Sequence, residues 1–246
     1  MDDGSTRYAS LVRAEWPEVD LGNLRFSLDV LFEGVTLTGS RMLDVGAGDG
    51  LRAFYAACAG AAHVVALEPE AAGSSGGVRA KFQSAAGRLG QASVELRPDT
   101  FQAYEAAGEP FDVLLLQAAV NHLDEQACMA LHRDPRARDT YRALFAKLAD
   151  MSADGAKLIV ADCSRRNLFA SLPVRNPLAP TIEWAKHQPP HLWCELLTEA
   201  GFADPRLRWT SLNTLRNFGR LLTGNRVAAW FLMSSFQLTM TRRRSA

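Results

Sequence analysis

The chain has 246 residues, 48% hydrophobic and 22% charged, with 27 Lys+Arg offset by 27 Asp+Glu. That length can bury one full α/β core, and a second independent domain is not expected. The longest apolar stretches, AWFLMSSFQL and HVVAL, fall short of the ~18 residues of a membrane span, and the neutral charge without a nucleic-acid module argues against DNA or RNA.

The acidic start, MDDGST, has no hydrophobic signal region, so a cytoplasmic location is expected. Cys58, Cys128, Cys163 and Cys194 are far apart in sequence and form no CxxC pair, which favours free thiols over disulfides or a zinc site. The zero net charge hides a division along the chain. Through Cys163 there are 15 Lys+Arg against 23 Asp+Glu (−8), and from Ser164 onward 12 against 4 (+8). The basic half suits an anionic ligand, or is plain solvated surface.

Residues 5 to 38 read as one or two helices, with apolar positions at Tyr8, Leu11, Val12 and Trp16, then Leu24, Leu28, Leu31 and Phe32, divided at Pro17. The stretch from Arg41 to Glu70, RMLDVGAGDGLRAFYAACAGAAHVVALEPE, reads as strand, glycine turn, helix, strand and acid. Glycines let backbone approach a ligand closely, a helix start offers N–H groups, and an acid about 20 residues on can hold ribose hydroxyls. The dinucleotide fingerprint G-x-G-x-x-G does not fit, because the third glycine, Gly50, comes one residue early and Leu51 stands in its place.

D-x-G-x-G-x-G at Asp44 to Gly50, followed by LEPE, resembles the nucleotide-binding motifs of class I S-adenosylmethionine-dependent methyltransferases. The resemblance implies that Asp44, Gly46, Ala47, Gly48, Gly50, Glu68 and Pro69 hold S-adenosyl-L-methionine. It also implies that the helices ahead of the motif cover the site. Tyr8, Arg13 and Trp16 then either line a substrate wall or simply pack on the sheet.

Downstream, AAGSSGGVRAKFQSAAGRLG is expected to be a mobile loop leading into a surface helix. His63, ahead of the second strand, reads as structural. Val94 to Leu96 reads as the third strand, followed by Asp99 and Thr100; the resemblance makes Asp99 a partner of the adenine amino group, and the alternative is an ordinary turn aspartate. Phe111 to Leu116 is apolar enough for a central parallel strand. It runs into QAAVNHLDE, which sets Gln117, Asn121 and His122 at the strand's carboxyl end, where open α/β sheets bind ligands.

HRDPRARD reads as an exposed charged loop, Asp139 to Met151 as a helix and Lys157 to Asp162 as the fifth strand. From Ser164 to Pro190 the pattern is proline-rich and irregular, and Phe169, Ile182 and Trp184 argue for an ordered substrate lid. Trp184, His187 and His191 are its candidate substrate residues. HLWCELLTEAGF is an amphipathic helix ended by Gly201. Strand six is expected at Leu207 to Leu212, a helical excursion at Leu215 to Arg226, and a long last strand at Ala229 to Thr239.

Seven strands alternating with helices imply the Rossmann-like class I methyltransferase fold: a mostly parallel sheet with an antiparallel last strand and helices on both faces. The expected division is one domain, 1–246, with a helical cap (1–38), a cofactor-binding half (39–163), a lid (164–190) and a C-terminal helix and strands (191–246). The resemblance spans roughly residues 40 to 240, but its specific motifs lie between 42 and 124.

Departures from subfamilies narrow the chemistry. QAAVNHLDE lacks the paired glutamates of protein arginine methyltransferases, and no [DN]-P-P-[YF] motif of DNA amino-methylating enzymes follows strand four. Catechol-type enzymes hold magnesium with an acid after strand four and an adjacent Asp-Asn pair after strand five; here Gln117 stands near the first position and Asp162 is followed by Cys163, so no catalytic metal is expected, nor one at Glu183 and His187. The expected reaction is methyl transfer to an oxygen, less so a nitrogen, of a small molecule. His122 is the leading candidate base, with His187 and His191 as competitors. Arg165 and Arg166 suggest an anionic acceptor. The rivals are an S-adenosylmethionine-binding protein without transferase activity and a nicotinamide-dependent oxidoreductase.

Overall fold

A computed structural model describes residues 3–70, 77–90, 93–172, 174–210 and 215–243. The loop expected at 71–76 lies outside the described residues. The chain divides into two compact units, Met1–Leu115 and Leu116–Ala246.

In the first unit, helices α1 (Asp3–Glu15) and α2 (Leu21–Leu31) precede β1 (Arg41–Val45), α3 (Leu51–Cys58), β2 (His63–Leu67), α4 (Val78–Leu89) and β3 (Val94–Arg97). The turn between α1 and α2 holds Pro17, and Asp20 starts α2 by accepting from the Asn23 N–H at 2.7 Å. β1 pairs parallel to β2, and β2 to β3, in a register that sets Asp44 beside Ala66 and Val45 beside Leu67. Past their first residues β1 and β2 are wholly buried, which explains why they are apolar there apart from Asp44. Tyr8, Trp16, Phe54 and Phe82 form the aromatic core around α1, α3 and α4, with Phe54 and Phe82 rings 4.7 Å apart. His63 lies 3.5 Å from Glu95 on the neighbouring strand.

β4 (Phe111–Gln117) begins in the first unit and its last two residues open the second. α5 (Glu125–Ala130), α6 (Pro135–Asp150), β5 (Ser152–Cys163), α7 (Leu168–Ser171), α8 (Pro190–Glu199), β6 (Phe202–Trp209), α9 (Arg216–Thr223), α10 (Arg226–Phe231) and β7 (Ser235–Arg242) follow. The sheet order is β3, β2, β1, β4, β5, β7, β6, and β7 runs antiparallel to β5 and β6. Seven strands and the antiparallel last one are as the sequence implied.

Four element boundaries differ from the sequence reading. The last five residues of HRDPRARD are helix: Asp134 accepts from the Arg136 N–H at 2.9 Å and Pro135 occupies the first turn, where its missing N–H costs nothing. β5 starts at Ser152, five residues earlier than read. β6 starts directly after Gly201, because a bulge between Ala203 and Arg206, with Asp204 at φ 53°, accommodates Pro205 on an edge strand. The expected last strand is helix up to Phe231. Asn225 caps α10 by accepting from Ala228 N–H, Ser234 turns the chain at φ 46°, and only then does β7 begin.

Segment 164–190 is held by three buried amides. Asn167 donates to Ser164 O (2.8 Å) and accepts from Ala170 N–H (2.9 Å); Asn176 donates to Leu232 O (2.9 Å); Gln188 donates to Cys128 O (2.6 Å). Buried polar groups hold position strongly when each is satisfied.

Candidate active site

In the first unit the glycine turn is tied to the end of β2. Gly46 and Ala47 N–H groups both donate to Leu67 O at 3.0 Å, and Gly48 N–H donates to Glu68 Oε2 at 2.8 Å. The other oxygen, Oε1, takes the Glu70 N–H at 2.9 Å. Glu68 thus fixes the loop, and its remaining lone pairs can still receive ligand hydroxyls. Gly46, Gly48 and Gly50 have φ of 72°, 55° and 87°, the left-handed region where glycine carries no side-chain penalty. A Cβ on Gly50 would lie 2.5 Å from Phe82 and 2.8 Å from Phe54, whereas one on Gly48 would meet nothing within 4 Å among the described residues.

Asp44 is buried at the end of β1, and its Oδ2 has no hydrogen-bond partner among the described residues. Burial pushes its carboxyl up to about 7; Arg52 opposes the rise and Glu68 adds to it. A buried carboxylate oxygen without a donor is a docking point for a cationic ligand group. Tyr8 and Trp16 are buried behind this turn: Tyr8 OH donates to Leu51 O at 2.9 Å and Trp16 Nε1 to Asp49 Oδ2 at 2.6 Å. Tyr8, on α1, thus braces the start of α3, and Trp16, just past α1, braces the glycine turn. Pro69 follows Glu68, half-buried Asp99 and exposed Thr100 follow β3, and Thr100 Oγ1 accepts the Ala103 N–H at 3.2 Å.

In the second unit, Gln117 ends β4 half-buried and Ala118 turns the chain at φ 50°. Asn121 is fully buried, with Oδ1 unpartnered among the described residues, and Tyr141 OH donates to Val120 O at 2.9 Å to hold the turn. His122 is half-exposed, its Nδ1 2.7 Å from Glu125, whose second oxygen lies 2.9 Å from Lys186 Nζ. His187 is more enclosed. Its Nδ1 lies 2.9 Å from Oδ1 of Asp162, a carboxylate whose side chain is 1% exposed at the end of β5. The two candidate histidines therefore stand in different environments.

A cavity of about 900 Å³ in this unit is lined by Leu207, Trp209 and Trp230, with Arg166, His191 and Arg226 among its polar groups. His191 is held below its ordinary pKa, first by burial and then by Arg166 and Arg226, against Glu195. Arg165 lines an adjoining cleft of about 550 Å³ that shares Arg166 and His191. Trp184 lies half-buried beside His187, ring centroids 6.2 Å apart. Among the described residues no three His, Cys, Asp or Glu side chains come together as a metal site.

No family model and no curated protein sequence matches the chain. Solved structures do. A candidate S-adenosylmethionine-dependent methyltransferase from Listeria monocytogenes superposes with TM-score 0.63 at 11% identity, over 90% of this chain and 97% of that one. The fold is that of the S-adenosylmethionine-dependent methyltransferases. A phosphoethanolamine N-methyltransferase from Haemonchus contortus, in complex with phosphomonomethylethanolamine and S-adenosylhomocysteine, gives 0.61 at 16% identity, over 99% of this chain and 58% of that one. The cyclase SpnF gives 0.59 at 16% identity, over 89% and 80%. The methyltransferase fold thus also serves a cyclase, and what this chain does has to be argued from its residues.

Sequence reasoning passed over Asp49, Glu125 and Arg226, and weighed Asp162 only as a metal ligand. Asp162 had a signal: like Asp44 and Glu68, it is an acid closing a buried apolar strand. Arg226 had none, because its relation to Arg166 is tertiary.

Proposed function

We propose that this chain is an S-adenosylmethionine-dependent methyltransferase acting on an oxygen of a small acceptor. The observation that carries the reading is the glycine turn: among the described residues a Cβ on Gly48 meets nothing within 4 Å and Asp44 presents an unpartnered buried oxygen, and Glu68 closes β2 beside it. These groups fit an amino-acid cation and a ribose, so Asp44, Gly46, Ala47, Gly48, Gly50, Glu68 and Pro69 would hold the cofactor, with Asp99 and Thr100 toward its adenine end. When bound, the cofactor would supply an activated methyl group and its leaving group.

The chain's own part is to orient the acceptor, exclude water and take its proton. His187 suits the last task. With Nδ1 directed at Asp162, the ring presents Nε2 as the basic nitrogen and the buried carboxylate stabilises the imidazolium that forms. His122, favoured by its position in the sequence, has a comparable but half-exposed partner in Glu125 and is the second candidate. The second unit's cavity, apolar with Arg166 and Arg226 in its wall, suits an acceptor with an apolar body and an anionic group; the Haemonchus relative's phosphate-bearing ligand is of the latter kind.

Calorimetry with S-adenosylhomocysteine, followed by incubation with methyl-labelled cofactor and a metabolite extract, tests the reading. Binding and a labelled product support it. Binding without turnover would make the chain a cofactor-binding partner protein, and absence of binding would remove the assignment altogether.

A further inference from the structure

Helices α9 and α10 turn their apolar residues outward. In α9, Phe218, Leu221 and Leu222 stand at i, i+3 and i+4, on one face, and are 64%, 80% and 53% exposed, while Gly219 is the buried residue of that helix. α10 repeats the pattern: Val227, Trp230 and Phe231 are exposed at the same spacing and Ala229 is buried. A surface helix ordinarily buries its apolar stripe. Two consecutive helices that expose it define a contact face.

The charge around this face identifies what covers it. The two helices carry three arginines and no aspartate or glutamate. Arg216, Arg220 and Arg226 are exposed on the same two helices. A two-fold contact with a second copy would set this acid-free, arginine-bearing face against itself. An anionic bilayer offers both complements, an acyl interior for Phe218, Leu221, Leu222 and Phe231 and phosphates for the arginines. Helices of eight and six residues are too short to cross a bilayer and suit the interface. The face is also continuous with the cavity, which takes Arg226, Val227 and Trp230 from α10.

We infer that α9 and α10 dock the protein peripherally on an anionic lipid surface. Flotation of the full chain with vesicles of phosphatidylcholine alone, and of phosphatidylcholine with about one-third phosphatidylglycerol, tests this independently of methyl transfer. The chain should float with the anionic vesicles and dissociate as salt is raised. The variant Phe218→Ser/Leu221→Ser/Leu222→Ser should lose about 10-fold or more in partitioning, with an unchanged far-UV spectrum because these side chains are exposed in the fold. Arg220→Glu should weaken binding without removing any apolar contact. Absence of flotation with anionic vesicles overturns the inference, as does equal flotation of the triple variant. A dimer in light scattering that the triple variant abolishes, without vesicle binding by wild type, would give the face to a second copy instead.

Discussion

His187 and Asp162 are 25 residues apart in sequence, and their side chains meet at 2.9 Å, imidazole Nδ1 to a carboxylate that is almost wholly buried. A carboxylate in that position fixes both the tautomer and the plane of the ring. If His187 is the base, His187→Gln should lower kcat by ~10²–10⁴ with cofactor affinity intact. Asp162→Asn should lower kcat while leaving acceptor KM close to wild type, and His122→Gln should retain most turnover. The reverse ranking of the two histidine variants in steady-state kinetics would transfer the role to His122.

Gly48 and Gly50 should fail differently. At Gly50 a side chain meets Phe82 and Phe54, so Gly50→Val should destabilise the fold by ~1–3 kcal/mol from overpacking, beyond ~1–2 kcal/mol of left-handed backbone strain. At Gly48 only the strain applies, and the Cβ enters the space assigned to the cofactor. Gly48→Val should therefore remain folded and weaken S-adenosylhomocysteine at least ~10-fold. Thermal melts and calorimetry on the two variants separate the effects; unchanged affinity in Gly48→Val would falsify the cofactor assignment.

Asp44 supplies a pH signature. Its folded-state pKa of about 7 lies above the ordinary 3.8, so between these values the native chain holds a proton that the unfolded chain has released. Its contribution to stability is therefore greatest below about pH 4 and declines as pH rises to about 7. A cationic ligand group selects the ionised form, so cofactor affinity should increase through the same window, with release of a proton on binding. Asp44→Asn should flatten both profiles. Calorimetry in two buffers of different ionisation enthalpy reads the proton directly.

Arg166 lines both the cavity and its adjoining cleft, and Arg165 lines the cleft. For an anionic acceptor, Arg165→Ala with Arg166→Ala should raise acceptor KM by ~10-fold or more, the scale of one or two charge-assisted hydrogen bonds, and leave S-adenosylhomocysteine affinity unchanged. An unchanged KM would return both residues to the solvated surface.

The parts legible in the sequence were those written in short-range spacing. A glycine turn and the acids that close β1 and β2 are each decided within a few residues; the Asp-Pro start of α6 is just as local, but the charges around it mask it as loop. The run AAWFLMSSFQL resisted, since a continuous apolar stretch satisfies helix and strand equally and only Ser234's left-handed turn divides it. Asp162 with His187, and Arg166 with Arg226, are joined across a proline-rich segment by tertiary packing, which no local period records.

The three buried amides of segment 164–190 have a kinetic consequence. Asn167, Asn176 and Gln188 each place a side-chain donor on a backbone carbonyl, so opening this segment would strand several buried polar groups at once, at about 1–3 kcal/mol apiece. If this segment walls the acceptor site, a wall clamped in that way would select acceptors by fixed shape and would not gate their departure. Turnover should then show no slow step from its reopening, and added solvent viscosity should slow kcat only as far as diffusion of the product requires.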